Sequence, residues 1–191
     1  MLYELRPITD DACAITTDAK EAARGSWLCT GCPNVNPGVG AVDVRLKHTP
    51  KDIAVNFIYG LHVGVVRRDF LAVLGEDVVA QELLLGRVLD AQGHQIPDFV
   101  TCRGRSHITI RGNAKSPYRH CEVCGQHIYS PMGRGYVLSG MLGNARIYES
   151  QLSDLVVGEA IAQNVQQRKW NELAVVRLPI VDVPDDGRPI F

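Results

Sequence analysis

The chain has 191 residues, 46% of them hydrophobic and 21% charged, with a formal net charge of −1. That composition is ordinary for a folded globular protein, and the near-zero charge supplies no whole-molecule field to draw it onto nucleic acid or an anionic membrane. The longest apolar stretches, such as Leu83 to Leu85, are far too short to span a bilayer, and MLYELRPITDD lacks the basic and apolar regions of a secretory leader, so a cytoplasmic protein without membrane contact is expected.

In chain order, a short strand is predicted at Tyr3-Glu-Leu-Arg-Pro, followed by a first C-x-x-C pair, Cys29 and Cys32, just after Trp27. Leu61-His-Val-Gly-Val-Val reads as a strand, RRDFLAVLG as a helix and ELLLGRVLD as a second strand. Val66, Phe70, Val73 and Leu74 share one helical face at i, i+4, i+7 and i+8, and Gly75 is placed to end the helix. Gln92 to Arg119 is rich in Gly, Arg, His and Ser and holds an alternating strand, Ser106 to Arg111. The second pair, Cys121 and Cys124, comes next, and Pro131-Met-Gly-Arg-Gly-Tyr is predicted as a hairpin turn between Ile128 and Val137. Leu155-Val-Val-Gly-Glu-Ala, IAQNVQQRKW and LAVVRLPIVD repeat the strand–helix–strand pattern, with Val157, Ile161 and Val165 on one face and Ala162 beside them. Residues 183–191 read as a loosely docked end.

The two patterns fall in a common register. Cys29 and Cys121 lie 92 residues apart, Leu61 and Leu155 lie 94 apart, and Asp90 and Asp182 lie 92 apart. The expectation is a single domain over 1–191 of α+β class, made of two pseudo-repeated halves at about 26–90 and 118–182 with a basic hairpin, 91–117, connecting them. The alternative is two α+β segments that resemble each other by chance.

Six cysteines in a chain without a leader read as metal or redox chemistry before structural disulfides. Zinc takes four tetrahedral ligands, and each C-x-x-C supplies two thiolates from one tight turn, so Cys29, Cys32, Cys121 and Cys124 fill the shell of one structural Zn²⁺. The 88 residues between the pairs make this a split zinc ribbon. A thioredoxin-type dithiol would need a strand before Trp27-Leu-Cys and a helix after it. Neither pair precedes a histidine, as haem attachment requires, and no H-x-E accompanies them, as a deaminase requires. Cys13 and Cys102 read as small buried fillers, and His94 and His127 lack the spacing of zinc ligands. No paired carboxylates, G-x-S-x-G or P-loop are present, so an enzyme is not expected.

From Phe99 through Cys121 there is no acidic residue, while Arg103, Arg105, Arg111, Lys115 and Arg119 are all there. This stretch is the candidate partner-binding surface, for an acidic protein or, alternatively, for nucleic acid in the manner of a zinc ribbon.

The two C-x-x-C pairs, the second as Cys121-Glu-Val-Cys-Gly, together with Trp27, the N-terminal strand and Ser153-Asp-Leu-Val-Val-Gly-Glu-Ala, resemble the double-CXXCG motif proteins best known from myxobacteria. Pro33 stands where that motif has its first glycine. The resemblance implies the four cysteines as zinc ligands and a non-enzymatic protein that, like some members of that family, binds and neutralises a cognate toxin as an immunity protein.

Overall fold

Alternating apolar residues set most of the strands, and short runs rich in Ala, Leu, Glu and Gln set the helices. The structure is a computed structural model and describes residues 1–8, 13–24, 26–36, 38–58, 61–113, 115–168, 170 and 172–182. The segment 183–191, expected as a loose end, lies outside them. The elements run β1 (Leu2–Pro7), α1 (Thr17–Ala23), β2 (Val44–Arg45), β3 (Val55–Ile58), β4 (Leu61–Arg67), α2 (Arg68–Leu74), α3 (Glu76–Glu82), β5 (Leu83–Leu89) and β6 (Gln95–Gly104). They continue with β7 (His107–Ile108), β8 (Tyr118–His120), β9 (His127–Tyr129), β10 (Val137–Leu138), β11 (Ile147–Ser150), β12 (Leu155–Gly158), α4 (Glu159–Gln167), β13 (Leu173–Leu178) and β14 (Ile180–Val181). The protein is α+β.

Two five-stranded sheets carry the fold, in the orders β2-β5-β6-β4-β3 and β13-β1-β12-β11-β7. They share a plan. In the first, β4 runs through α2 and α3 to β5, and β6 lies antiparallel between those two strands. In the second, β12 runs through α4 to β13, and β1 lies antiparallel between them. A hairpin strand flanks each unit, β3 beside β4 and β11 beside β12. Each middle strand precedes a C-x-x-C pair in sequence. Residues 95–104, within the segment expected to connect the halves, are thus a central strand of the first sheet.

The centres of both sheets are covered on both faces, so β4 and β12 read as nearly continuous apolar runs, whereas β6 begins with exposed residues. Val66, Val100 and Cys102 from one sheet and Leu5, Leu155 and Val157 from the other join α2 and α4 in one core. Phe70, wholly buried on α2, meets Trp170 edge to face at 5.2 Å. On the outer face of the first sheet, Val63, Val65 and Phe99 pack under Ile15, Leu28 and Val35.

Three local expectations are corrected. Val66 and Val157 belong to strands, not helices, because ladder pairing with Val55 and Val100, and with Tyr3 and Ile147, holds them extended. A further helix, α3, follows α2 directly, separated from it by Gly75 at φ +98°. The segment 131–135 does not close a hairpin: β9 pairs with β8, whereas β10 pairs in parallel with β14. Met132 packs instead on the backbone around Gly112, and Tyr136 exchanges backbone hydrogen bonds with Arg111.

Candidate metal centre

Each C-x-x-C pair sits on a tight turn closed by the same backbone bond. The Cys29 N–H donates to the Asn34 carbonyl at 3.0 Å, and the Cys121 N–H donates to the Gln126 carbonyl at 2.9 Å. The turns face each other so that the sulfurs of Cys29, Cys32, Cys121 and Cys124 all lie within 4.8 Å of one another. Cys29 Sγ and Cys121 Sγ are 3.8 Å apart, and Cys32 Sγ and Cys124 Sγ are 3.6 Å apart. These separations are far beyond a disulfide bond of about 2.05 Å, and all four cysteines are free. Such a cluster is able to hold a metal ion. Among the described residues no other group of three or more Cys, His, Asp or Glu is so placed.

Backbone amides support the sulfurs as thiolates. The Gly31 N–H reaches Cys29 Sγ at 3.3 Å. Backbone N–H groups of Cys124 and Val123 pull the Cys121 thiol down to about 6. Burial pushes Cys32 and Cys124 above the ordinary thiol value despite N–H groups from Asn34 and Gln126, and the neighbouring sulfurs push Cys32 further up. Four thiolates this close repel one another, and a bound dication removes that repulsion. Gly31 is required by close approach: a Cβ there would lie 2.6 Å from Cγ2 of Val123. Gly125 takes φ +71°, and its N–H donates to the Cys121 carbonyl at 2.8 Å, a bond Pro33 cannot offer in the first turn.

An amide clamp joins the two turns behind the sulfurs. Asn34 Nδ2 donates to Gln126 Oε1 at 2.7 Å, and Gln126 Nε2 donates to the Val35 carbonyl at 2.8 Å. Neither amide was a candidate from sequence, yet both follow the second cysteine of a pair by two residues, which was the available signal.

The five basic candidates are not one surface. Arg111 is wholly buried, and Arg103 is only 6% exposed. Neither offers an exposed guanidinium: Arg103 lies in β6 and hydrogen-bonds the Val39 carbonyl, and Arg111 lies in a backbone bridge with Tyr136. Arg105, Lys115 and Arg119 are exposed. His94 is held by Asp90 on an exposed turn, away from the sulfurs, and the side chain of His127 lies outside the described residues. Cys13 and Cys102 are buried, and burial raises both thiols above their ordinary value.

A cleft of about 790 Å³ opens beside the clamp, bordered by Asn34, Val35 and Gln126 and floored by Arg103 and Glu149. Burial pushes the Glu149 carboxyl up to about 7, against the opposing pull of Arg103 and the Gly104 N–H. Burial and the nearby Arg103 hold the His107 imidazole below its usual value. Glu149 and His107 were not legible as site residues, since nothing in sequence links β11 to the β6–β7 crossing. No family model matches the chain, and no curated protein matches it. No helix among the described residues is long and apolar enough to cross a membrane.

Proposed function

We propose that the chain holds one structural Zn²⁺ at Cys29, Cys32, Cys121 and Cys124 and acts by binding a protein rather than by catalysis. The observation that carries this reading is the sulfur geometry. A tetrahedral ion with Zn–S bonds of about 2.3 Å sets its sulfurs about 3.8 Å apart, and the two cross-turn separations are 3.8 and 3.6 Å. Four protein thiolates leave no open coordination position, which is the pattern of a structural rather than a catalytic zinc. The likeness of the cysteine pairs to double-CXXCG proteins makes the partner a toxin, with this chain its cytoplasmic immunity protein.

Metal analysis of the purified protein tests the first part: about one zinc per chain is expected, and two zincs, or none with the four thiols free, overturns it. Co-purification with the product of the adjacent gene, and relief of that product's toxicity, tests the second. Absence of any complex overturns it. Nucleic-acid binding through Arg103 to Arg119 is the alternative, and the burial of Arg111 and Arg103 weighs against it. Retention on nucleic acid that falls steeply with salt would favour it.

A further inference from the structure

Among the described residues no strand pairs with β13 on the side away from β1, so the second sheet ends there in an open edge. The register fixes which groups face outward. The Ile8 N–H donates to the Glu172 carbonyl, and antiparallel pairs exchange bonds at every second residue, so Ala174, Val176 and Leu178 are bonded to β1 as well. The N–H and C=O groups of Leu173, Val175 and Arg177 therefore point away from β1. The bond from the Gly158 N–H to the Arg146 carbonyl sets the same phase when followed through β12 and β1. Sheet edges are ordinarily blunted by a proline, a bulge or a charge. Here Leu173 to Val176 carries no proline or charge, and its pairing with β1 runs without a bulge. A pocket of about 210 Å³ lies against this edge, lined by Val165 and Gln166 of α4, by Trp170, and by Leu173 and Val175, with no residue of β1 in its wall. Small-molecule sites are larger, about 300–1,000 Å³, and this one has room for a single side chain.

We propose that β13 takes up an extended segment of a partner protein as an added strand, with an aliphatic side chain in the pocket and an acidic residue two positions before it against Arg177. Main-chain hydrogen bonds to Leu173, Val175 and Arg177 supply affinity, and side chains on the pocket face supply selectivity. Alternate residues of a strand point the same way, so Arg177 stands on the face of Leu173 and Val175. It is exposed and holds no ion pair among the described residues, whereas the exposed Arg87 and Arg146 each hold a carboxylate. Glu172, exposed at the other end of the strand, repels an acid there and directs it to Arg177. Antiparallel addition, the more stable ladder, then sets the acid N-terminal to the aliphatic residue. A second copy fits poorly. Outward-facing positions pair only with outward-facing ones, so β13 laid antiparallel on itself sets Arg177 opposite Leu173, Val175 or another Arg177, never opposite Glu172. Strand uptake rests on the reading of the chain as a protein binder, and on neither the zinc nor the toxin.

Amide hydrogen exchange and calorimetry on the purified full chain test this with a blocked heptapeptide, Thr-Thr-Glu-Thr-Leu-Thr-Thr. In the free chain the amides of Leu173, Val175 and Arg177 should exchange at least about a hundredfold faster than those of Ala174 and Val176, and saturating peptide should slow them about tenfold. Alanine in place of the leucine should weaken binding at least about tenfold, and lysine in place of the glutamate about threefold. An N-methyl group on the leucine, whose N–H faces β13, should abolish binding, while one on the threonine before it should not. Arg177→Glu should reverse the charge preference, so that the lysine peptide binds better than the glutamate one. Val175→Pro removes only an outward N–H and should lose the peptide; should it not fold, Arg177→Glu and the methylated peptides decide alone. Slow exchange of the outward amides in the dilute free chain means that its own segments cover the edge. Protection that grows with chain concentration means that a second copy does. Either result, equal binding of the two N-methyl peptides, or no peptide binding overturns the proposal. A partner still retained by a chain that fails these tests leaves the protein-binding reading intact and places the contact elsewhere.

Discussion

The cysteine cluster and the cleft beside it share Asn34 and Gln126 as a common border, yet they are opposite kinds of polar site. At the cluster every sulfur receives a backbone N–H, and contacts join positions 92 residues apart: Cys29 with Cys121, Cys32 with Cys124, Asn34 with Gln126. In the cleft Arg103 Nε is left without a partner, and no such register links Arg103, His107 and Glu149. A site whose sulfurs are all met by backbone amides holds structure, even though Asn34 Oδ1 behind them has no hydrogen-bond partner. One whose groups stay open, at a cost in stability, is suited to a ligand.

The comparison breaks most forcefully at the sulfurs. Cys29→Ser or Cys121→Ser should remove the metal and cost at least about 4 kcal/mol, because the ion is the strongest tie between two turns otherwise joined by the amide clamp. Denaturant unfolding with and without chelator checks this, and a chelator-insensitive native protein would refute the scaffold role. Next in size, Phe70→Ala should cost about 3–5 kcal/mol by opening a cavity against Trp170 in the core that both sheets share. The same unfolding curves check it, and a loss confined to one sheet by hydrogen exchange would show that the sheets are not one cooperative unit.

Removing a carboxyl near the cleft should act in the opposite direction. Asp154 lies in the turn after Ser150, and burial and the adjacent Glu4 push it up to about 8. Its folded value is above its unfolded one, so the stability it contributes is full at acid pH and is lost as the pH rises through about 8. Asp154→Asn should therefore raise stability at pH 8 by about 2 kcal/mol and flatten the pH profile, measured as melting temperature from pH 4 to 9. An unchanged profile would place the titration elsewhere. The smallest effect is expected at the shared border: Asn34→Ala or Gln126→Ala should cost about 1 kcal/mol and speed zinc loss to a chelator. No change in the rate of metal loss would mean that the clamp does not support the turns.

The cluster was legible in sequence because short-range spacing specifies each half of it: two thiolates on one turn are a local fact, and Cys29, Cys32, Cys121 and Cys124 needed only to meet. Helices α2 and α4 and the strands β4, β5, β12 and β13 were legible from periodicity, with boundaries off by the valines that ladder pairing claimed, whereas α3 was not. The middle strands were not. Residues 95–104 looked like a polar connector because β6 begins with exposed residues and places Arg103 inside, where composition alone suggests a surface. The basic stretch failed for the same reason: the count of cations was right, but charge in sequence does not say which guanidiniums the fold encloses. Glu149 needed three-dimensional placement, since its neighbours come from β6 and β7 more than forty residues away.

The position of β1 has a consequence for how the chain reaches its native state. Its residues pair with Leu155–Gly158 on one side and with Leu173–Leu178 on the other. Strand β1 therefore cannot be placed until β12 and β13, far along the chain from it, are available, and it must then enter between two strands already bridged by a helix. Closing so long a loop is entropically unfavourable and kinetically slow. Until it happens, β12 and β13 each expose an unpaired edge of valines and leucines, a surface prone to association with other chains.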